Sequence, residues 1–139
     1  MATTDNYNLR DYCLSIPEID HSTGGAFRFA IPIAGRIVGI YMASIEANTG
    51  AASGITFALG GASLVFTHLS DAANTVEIPA TDTLGDAYVC VMDNTSSANV
   101  ALQAEAGDLD AGGSVLTITA DGDGTDGRVS MVIRIRPGG

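Results

Sequence analysis

Tryptophan and lysine are absent from this 139-residue chain, and histidine and cysteine occur twice each. Two histidines cannot supply the clustered ligands of a cupin-type metal centre, and without a GxSxG motif they do not indicate a nucleophilic triad. Cys13 and Cys90 lie in apolar surroundings without CxxC spacing, so we interpret them as buried free thiols rather than zinc ligands or a redox pair. The sequence therefore predicts no enzyme, no cofactor and no small-molecule substrate.

Positive charge is scarce. The chain has six arginines and 16 acidic residues, which gives a net charge of −10. Such a surface disfavours both nucleic acid and anionic membranes, because binding to phosphates requires clustered cations. No apolar run approaches the roughly 20 residues of a membrane span, and the N-terminus shows no signal-peptide pattern. We therefore expect synthesis in a cell's cytoplasm, with residues 1–12 forming an N-terminal arm on a single domain, 1–139.

The hydrophobic residues, 46% of the chain, recur mainly in a two-residue alternation between clusters of Gly, Asp, Asn, Ser and Thr. This pattern is typical of β-strands. About eight short strands and no long helix predict an all-β fold of two packed antiparallel sheets, with the jelly roll as the leading topology. An immunoglobulin-like sandwich is the alternative, but its Cys, Trp, Cys core pattern is missing.

Residues 36–47 are apolar on both faces of the predicted strand. Ile37, Tyr41 and Ile45 lie on one side in a simple alternation, and Val38, Ile40 and Met42 lie on the other. Because a strand with two apolar faces is usually covered twice, we predict that the second set forms a subunit interface.

The C-terminal part predicts two strands, Ser114–Ala120 and Arg128–Arg136, joined as a hairpin by an Asp- and Gly-rich loop. In the last strand Val129, Met131, Ile133 and Ile135 alternate with a row that carries three arginines. We expect the first row to face the core and the arginine row to meet an acidic neighbour.

One acidic loop, two pairs of carboxylates and the two histidines are considered as candidate metal-binding or catalytic residues. Asp121, Asp123 and Asp126 place oxygen ligands close together, as calcium requires, although a solvated turn explains the same residues. The pairs Asp108–Asp110 and Asp82–Asp86 could serve acid–base chemistry on a sugar, but the chain has few aromatic residues for stacking on one. We expect His21 to face solvent in a polar loop, and His68 to be an interior or interface side chain.

Several segments resemble small structural proteins of tailed bacteriophages. The run Phe29–Val38 (FAIPIAGRIV), the strand Ile55–Gly61 (ITFALGG) and the closing strand Val129–Pro137 follow their pattern, over roughly residues 27–137. The turn Gly107-Asp108 departs from it, since Asp110-Ala111-Gly112-Gly113 follows. The resemblance is to head decoration, or cement, proteins, which implies a jelly roll that assembles as a trimer on the outer capsid surface.

These observations together predict a structural virion protein that forms a homotrimer and binds the major capsid protein. We expect contact with the capsid through Tyr7, Leu9 and Arg10 of the arm or through Arg134 and Arg136. A carbohydrate- or receptor-binding module of a phage tail or fibre is the alternative.

Overall fold

The computed structural model describes residues 11–31, 33–68, 75–101 and 115–137, which form eleven β-strands and one short 3-10 turn, Ser97–Asn99. The strands are β1 (Tyr12–Asp20), β2 (Gly25–Ala30), β3 (Gly35–Glu46), β4 (Ser53–Leu59), β5 (Ala62–Ser63), β6 (Phe66–His68), β7 (Thr75–Ile78), β8 (Ala87–Met92), β9 (Val100–Ala101), β10 (Val115–Ala120) and β11 (Arg128–Pro137). Because β1 begins at Tyr12, the predicted arm 1–12 overlaps the first strand. Among the described residues no helix has the length and apolar character needed to cross a bilayer.

The strands form two antiparallel sheets. The first sheet has the order β1-β11-β3-β8-β6, with β9 beside β3, and the second has the order β2-β10-β4-β5, with β7 beside β4. The two sheets pack around a shared apolar core, so the predicted β-sandwich is confirmed. Assignment to the jelly-roll class stays a prediction.

Strand β11 has the predicted alternation. Val129, Met131, Ile133 and Ile135 are buried between the sheets, while Arg128 and the other alternate residues lie on the opposite face. The strand runs between β1 and β3, so both of its edges are hydrogen-bonded. Its apolar row therefore forms the middle of the core on the side of the first sheet.

The predicted C-terminal hairpin is wrong. Strand β10 pairs with β2 and β4 in the second sheet, whereas β11 pairs with β1 and β3 in the first sheet. Loop 121–127 therefore crosses from one sheet to the other. An Asp- and Gly-rich loop fits a hairpin and a crossover equally well, because its composition does not specify which strand pairs with which.

Strand β3 contains two β-bulges, which reverse the side-chain alternation. One bulge lies at Val38, where Ile37 and Gly39 pair with consecutive residues of β11, and the other lies at Ile45. An extra residue moves every later side chain to the opposite face. Ile37 therefore faces the core together with Ile40 and Met42, which simple alternation had placed on the other side.

Two predictions about buried side chains are also corrected. Cys13 is exposed on β1 and pairs with Arg134, on the side of the sheet away from the core. Cys90 is buried as expected, and burial raises the pKa of its thiol to about 12. His21, expected in solvent, has no accessible surface. The side chain of His68 lies outside what the structure describes.

Candidate interaction surface

The face of the first sheet that points away from the core carries a cluster of apolar side chains. Tyr41 of β3 pairs with Val132 of β11 on one side and with Val89 of β8 on the other. One row further along, Ala43 pairs with Ala87. We call this cluster the outer patch; it consists of Tyr41, Ala43, Ala87, Val89, Val91 and Val132.

Much of the outer patch is open to solvent. Val89 is 52% exposed, Val91 is 47% exposed and Tyr41 is 37% exposed. Single exposed apolar residues are ordinary, but neighbouring ones on adjacent strands form a continuous surface, which is typical of an interaction site. Each of these three side chains keeps more than a third of its surface accessible in the single chain.

The Tyr41 ring lies close against the sheet. A Cβ atom at Gly39 would lie 2.7 Å from the Tyr41 hydroxyl, so the ring occupies space that only a glycine leaves free. Arg134 also contacts the ring, because its Nη1 donates to the hydroxyl at 3.3 Å and its guanidinium carbon lies 5.9 Å from the ring centroid. The outer patch is therefore fairly flat at this residue.

The structure overturns the predicted interface at Ile40 and Met42, whereas for Val38 it stays a prediction. Ile40 is 0% exposed and Met42 is 3% exposed, and both belong to the core. A partner cannot reach them without opening the sandwich. Val38 is half-buried at the bulge. The surface of β3 that a partner can reach carries Tyr41 and Ala43 instead.

The arginine row on β11 is neutralised by acidic residues of its own chain. Arg134 and Arg136 both donate to the carboxylate of Asp11, whose side chain is only 5% exposed. Arg128 lies 3.0 Å from Glu18 on β1 and 3.2 Å from Glu46 on β3. These arginines are therefore paired within their own chain, and their contact with an acidic partner molecule stays a prediction. Tyr7, Leu9 and Arg10 lie outside the described residues.

The candidate calcium ligands Asp121, Asp123 and Asp126 are not assembled into a metal site. The Asp121 carboxylate accepts from the backbone N–H groups of Gly54, at 2.8 Å, and Asp123, at 3.0 Å. It thereby links loop 121–127 to the start of β4. Within the described ranges no group of three or more His, Cys, Asp or Glu side chains is suitably placed to hold a metal ion.

The carboxylates considered for acid–base chemistry have structural partners. Asp82 is 4% exposed and accepts hydrogen bonds from Ser44 Oγ at 2.6 Å, Tyr88 Oη at 2.5 Å and the backbone N–H of Asn48 at 3.1 Å. Burial and the hydrogen bond to Asp82 raise the pKa of Tyr88. Asp86 accepts from the N–H and hydroxyl of Thr83 in a turn. Asp108 and Asp110 lie outside the described residues.

A group of buried polar side chains connects the loops at one end of the sandwich through hydrogen bonds. Asn48 donates to the carbonyls of Ala51 and Ile78 and accepts from the N–H groups of Gly50 and Thr125. We call this group the end cluster; its members are His21, Ser44, Asn48, Ser53 and Asp82. The end cluster could not be predicted from the sequence, because its members come from distant parts of the chain, and His21, Asn48 and Asp82 lie in polar loops whose composition suggests exposure.

Neither the models of known protein families nor the curated proteins give a match to this chain.

Proposed function

We propose that this chain is a structural virion protein that decorates or stabilises the capsid of a tailed bacteriophage as a homotrimer. The outer patch forms the contacts between subunits. The phage assignment rests on the resemblance of the segments at 29–38, 55–61 and 129–137 to head decoration proteins, and the jelly-roll topology belongs to the same proposal.

The outer patch is the observation that supports self-association. It presents aliphatic side chains and one flattened tyrosine ring, and the arginine next to it is already paired with Asp11. Burial of apolar surface is the dominant favourable contribution to most protein–protein association. A symmetric assembly repeats such a contact in every subunit, so a modest patch is sufficient when copies are arranged in a ring.

Contact with the major capsid protein is assigned to the N-terminal arm and the neighbouring arginines. Asp11 precedes β1 and is bound to Arg134 and Arg136. Asp11 therefore lies beside the first sheet, and we assign the capsid contact to Tyr7, Leu9 and Arg10, which precede it in the sequence. Capsid attachment and self-association would then use adjacent parts of one face.

The self-association proposal is tested by light scattering coupled to size-exclusion chromatography. We expect a trimer for the wild-type chain and a monomer for Val89→Asp. The matched control is Val115→Asp, which makes the same change at a valine that is 41% exposed on β10 of the second sheet. Val115→Asp should remain trimeric. A monodisperse wild-type monomer at micromolar concentration, or a folded Val89→Asp variant that stays trimeric, would overturn the assignment of the patch.

The virion assignment needs a separate measurement. An antibody against the chain should label the heads of intact tailed-phage particles at many symmetry-related positions. Labelling of tail fibres, together with specific hits on a glycan array, would instead support the carbohydrate- or receptor-binding alternative.

A further inference from the structure

His21 is held at the end of the sandwich by its own backbone. Its N–H donates to the carbonyl of Gly127 at 3.1 Å, and its carbonyl accepts from Ser53 Oγ at 2.9 Å. The residue directly follows β1, and Gly127 directly precedes β11. The position of His21 is thus fixed by the end of β1, the start of β11 and the start of β4.

The imidazole packs on the backbone of loop 121–127. A Cβ atom at Gly127 would lie 2.1 Å from His21 Cε1, so the ring occupies the space of a side chain that Gly127 lacks. The φ of Gly127 is not in the left-handed region, so close approach, rather than an unusual conformation, is the reason for glycine here. Movement of the ring and movement of the loop are therefore coupled.

Both ring nitrogens are buried, and neither has a hydrogen-bond partner among the described residues. The neutral ring leaves one donor and one acceptor without a protein partner, which already costs free energy. The protonated ring would carry two unpaired donors and a charge, and burial of an unpaired charge costs much more. The fold therefore favours the neutral imidazole.

Three carboxylates lie close enough to influence the ring: Asp20 at the end of β1, Asp82 before β8 and Asp121 after β10. Burial lowers the pKa of His21 below its ordinary value of 6.5, and these three carboxylates oppose the shift only in part. Asp82 and Asp121 already accept hydrogen bonds from other groups. Because no described residue accepts from the ring nitrogens as they lie, a protonated ring gains an acceptor by moving or by admitting water.

We infer that His21 is an acid-sensitive latch: proton uptake on its buried imidazole releases loop 121–127 from the end of the sandwich. At neutral pH the ring supports the loop, which is also bonded to Asn48 and Thr49 through Thr125. Under acid conditions the ring leaves Gly127, and these bonds open with the loop. The inference concerns the fold itself and holds whether or not the chain forms a trimer.

The pH window follows from linkage. The open state binds the proton at about the ordinary pKa of 6.5, whereas the closed state binds it at a lower pKa. The closed state is therefore fully favoured above pH 6.5 and loses stability as the pH falls below that value. Each unit by which the pKa is lowered corresponds to about a tenfold change in the closing equilibrium.

Two NMR measurements on the wild-type chain test the latch. The Cε1 proton of His21 should titrate with a midpoint below 6.5. Hydrogen exchange, corrected for its intrinsic pH dependence, should show a loss of protection at Thr125 between pH 7 and pH 5. The amide of Ile133, in the centre of β11, should show no comparable loss. A midpoint at or above 6.5 would overturn the inference.

Variants separate His21 from other titrating groups. His21→Phe keeps a ring without a titratable nitrogen, so protection at Thr125 should become independent of pH between 5 and 7. His68→Gln removes the other histidine and should retain the wild-type pH dependence. If the loss of protection persists in His21→Phe or disappears in His68→Gln, the latch is not His21. His21→Gln provides a second non-titrating variant if the phenylalanine variant does not fold.

Discussion

Apolar side chains are usually buried and polar ones exposed. The outer patch and the end cluster are opposite exceptions to this rule. The outer patch exposes valines and a tyrosine on the surface of the first sheet, whereas the end cluster buries a histidine, an aspartate and an asparagine. The buried aspartate and asparagine have hydrogen-bond partners within the chain. Val89 and Val91 of the outer patch keep about half of their surface accessible. The difference indicates that the end cluster maintains the fold, while the outer patch is available to a partner.

The largest difference in the free energy of unfolding is expected between substitutions on the two faces of the first sheet. Ile40→Asp places a carboxylate in the sealed core and should cost about 5 kcal/mol, enough to prevent folding. Val91→Asp changes an exposed residue of the outer patch and should alter the free energy of unfolding of the monomer by no more than about 0.5 kcal/mol. Urea unfolding, followed by circular dichroism, measures both. A stably folded Ile40→Asp variant would return the interface to the face first predicted.

A smaller effect is expected in the end cluster. Asp82→Ala leaves three donors, on Ser44, Tyr88 and Asn48, without their acceptor and should cost about 3 kcal/mol. The matched control is Asp86→Ala, which removes an exposed carboxylate from the same connection and should cost about 0.5 kcal/mol. Equal losses in urea unfolding would show that the end cluster contributes no more than an ordinary turn.

The smallest effect should come from the ion pairs that border the outer patch. Asp11→Ala removes the shared partner of Arg134 and Arg136 and should cost about 0.5 kcal/mol at low ionic strength, because both arginines are about half exposed. The difference from wild type should shrink in 1 M NaCl, where the Debye length is about 3 Å. A loss of stability that does not change with salt would mean that packing, rather than charge, is the contribution of Asp11.

The sequence predicts best those strands in which local pattern and final packing agree. In β11 the alternation is uninterrupted, so the core row was predicted residue by residue. In β3 the same reasoning failed after Val38, because a bulge depends on the partner strand and has no signal in alternation alone. Strand β1 was missed, since Pro17 interrupts an apolar pattern that ends in the fully buried Ile19.

The candidate site was harder to predict than the fold. Residues 36–47 indicated that β3 has more apolar side chains than the core buries, and Tyr41 and Ile45 are indeed exposed. The contribution of β8 to the outer patch could not be predicted, because it depends on which strand pairs with β3. His21 was predicted in solvent because its neighbours in sequence are polar. Its burial depends on Gly127, more than 100 residues later, and no local pattern connects the two.

The contrast between the two cysteines offers a practical route to observing assembly. Cys13 is exposed and pairs with Arg134 next to the outer patch, whereas Cys90 is enclosed and its thiol resists ionisation. A maleimide dye should therefore attach to the folded chain at a single position without any engineered mutation. A change in the fluorescence of that dye on dilution would show whether copies of the chain associate.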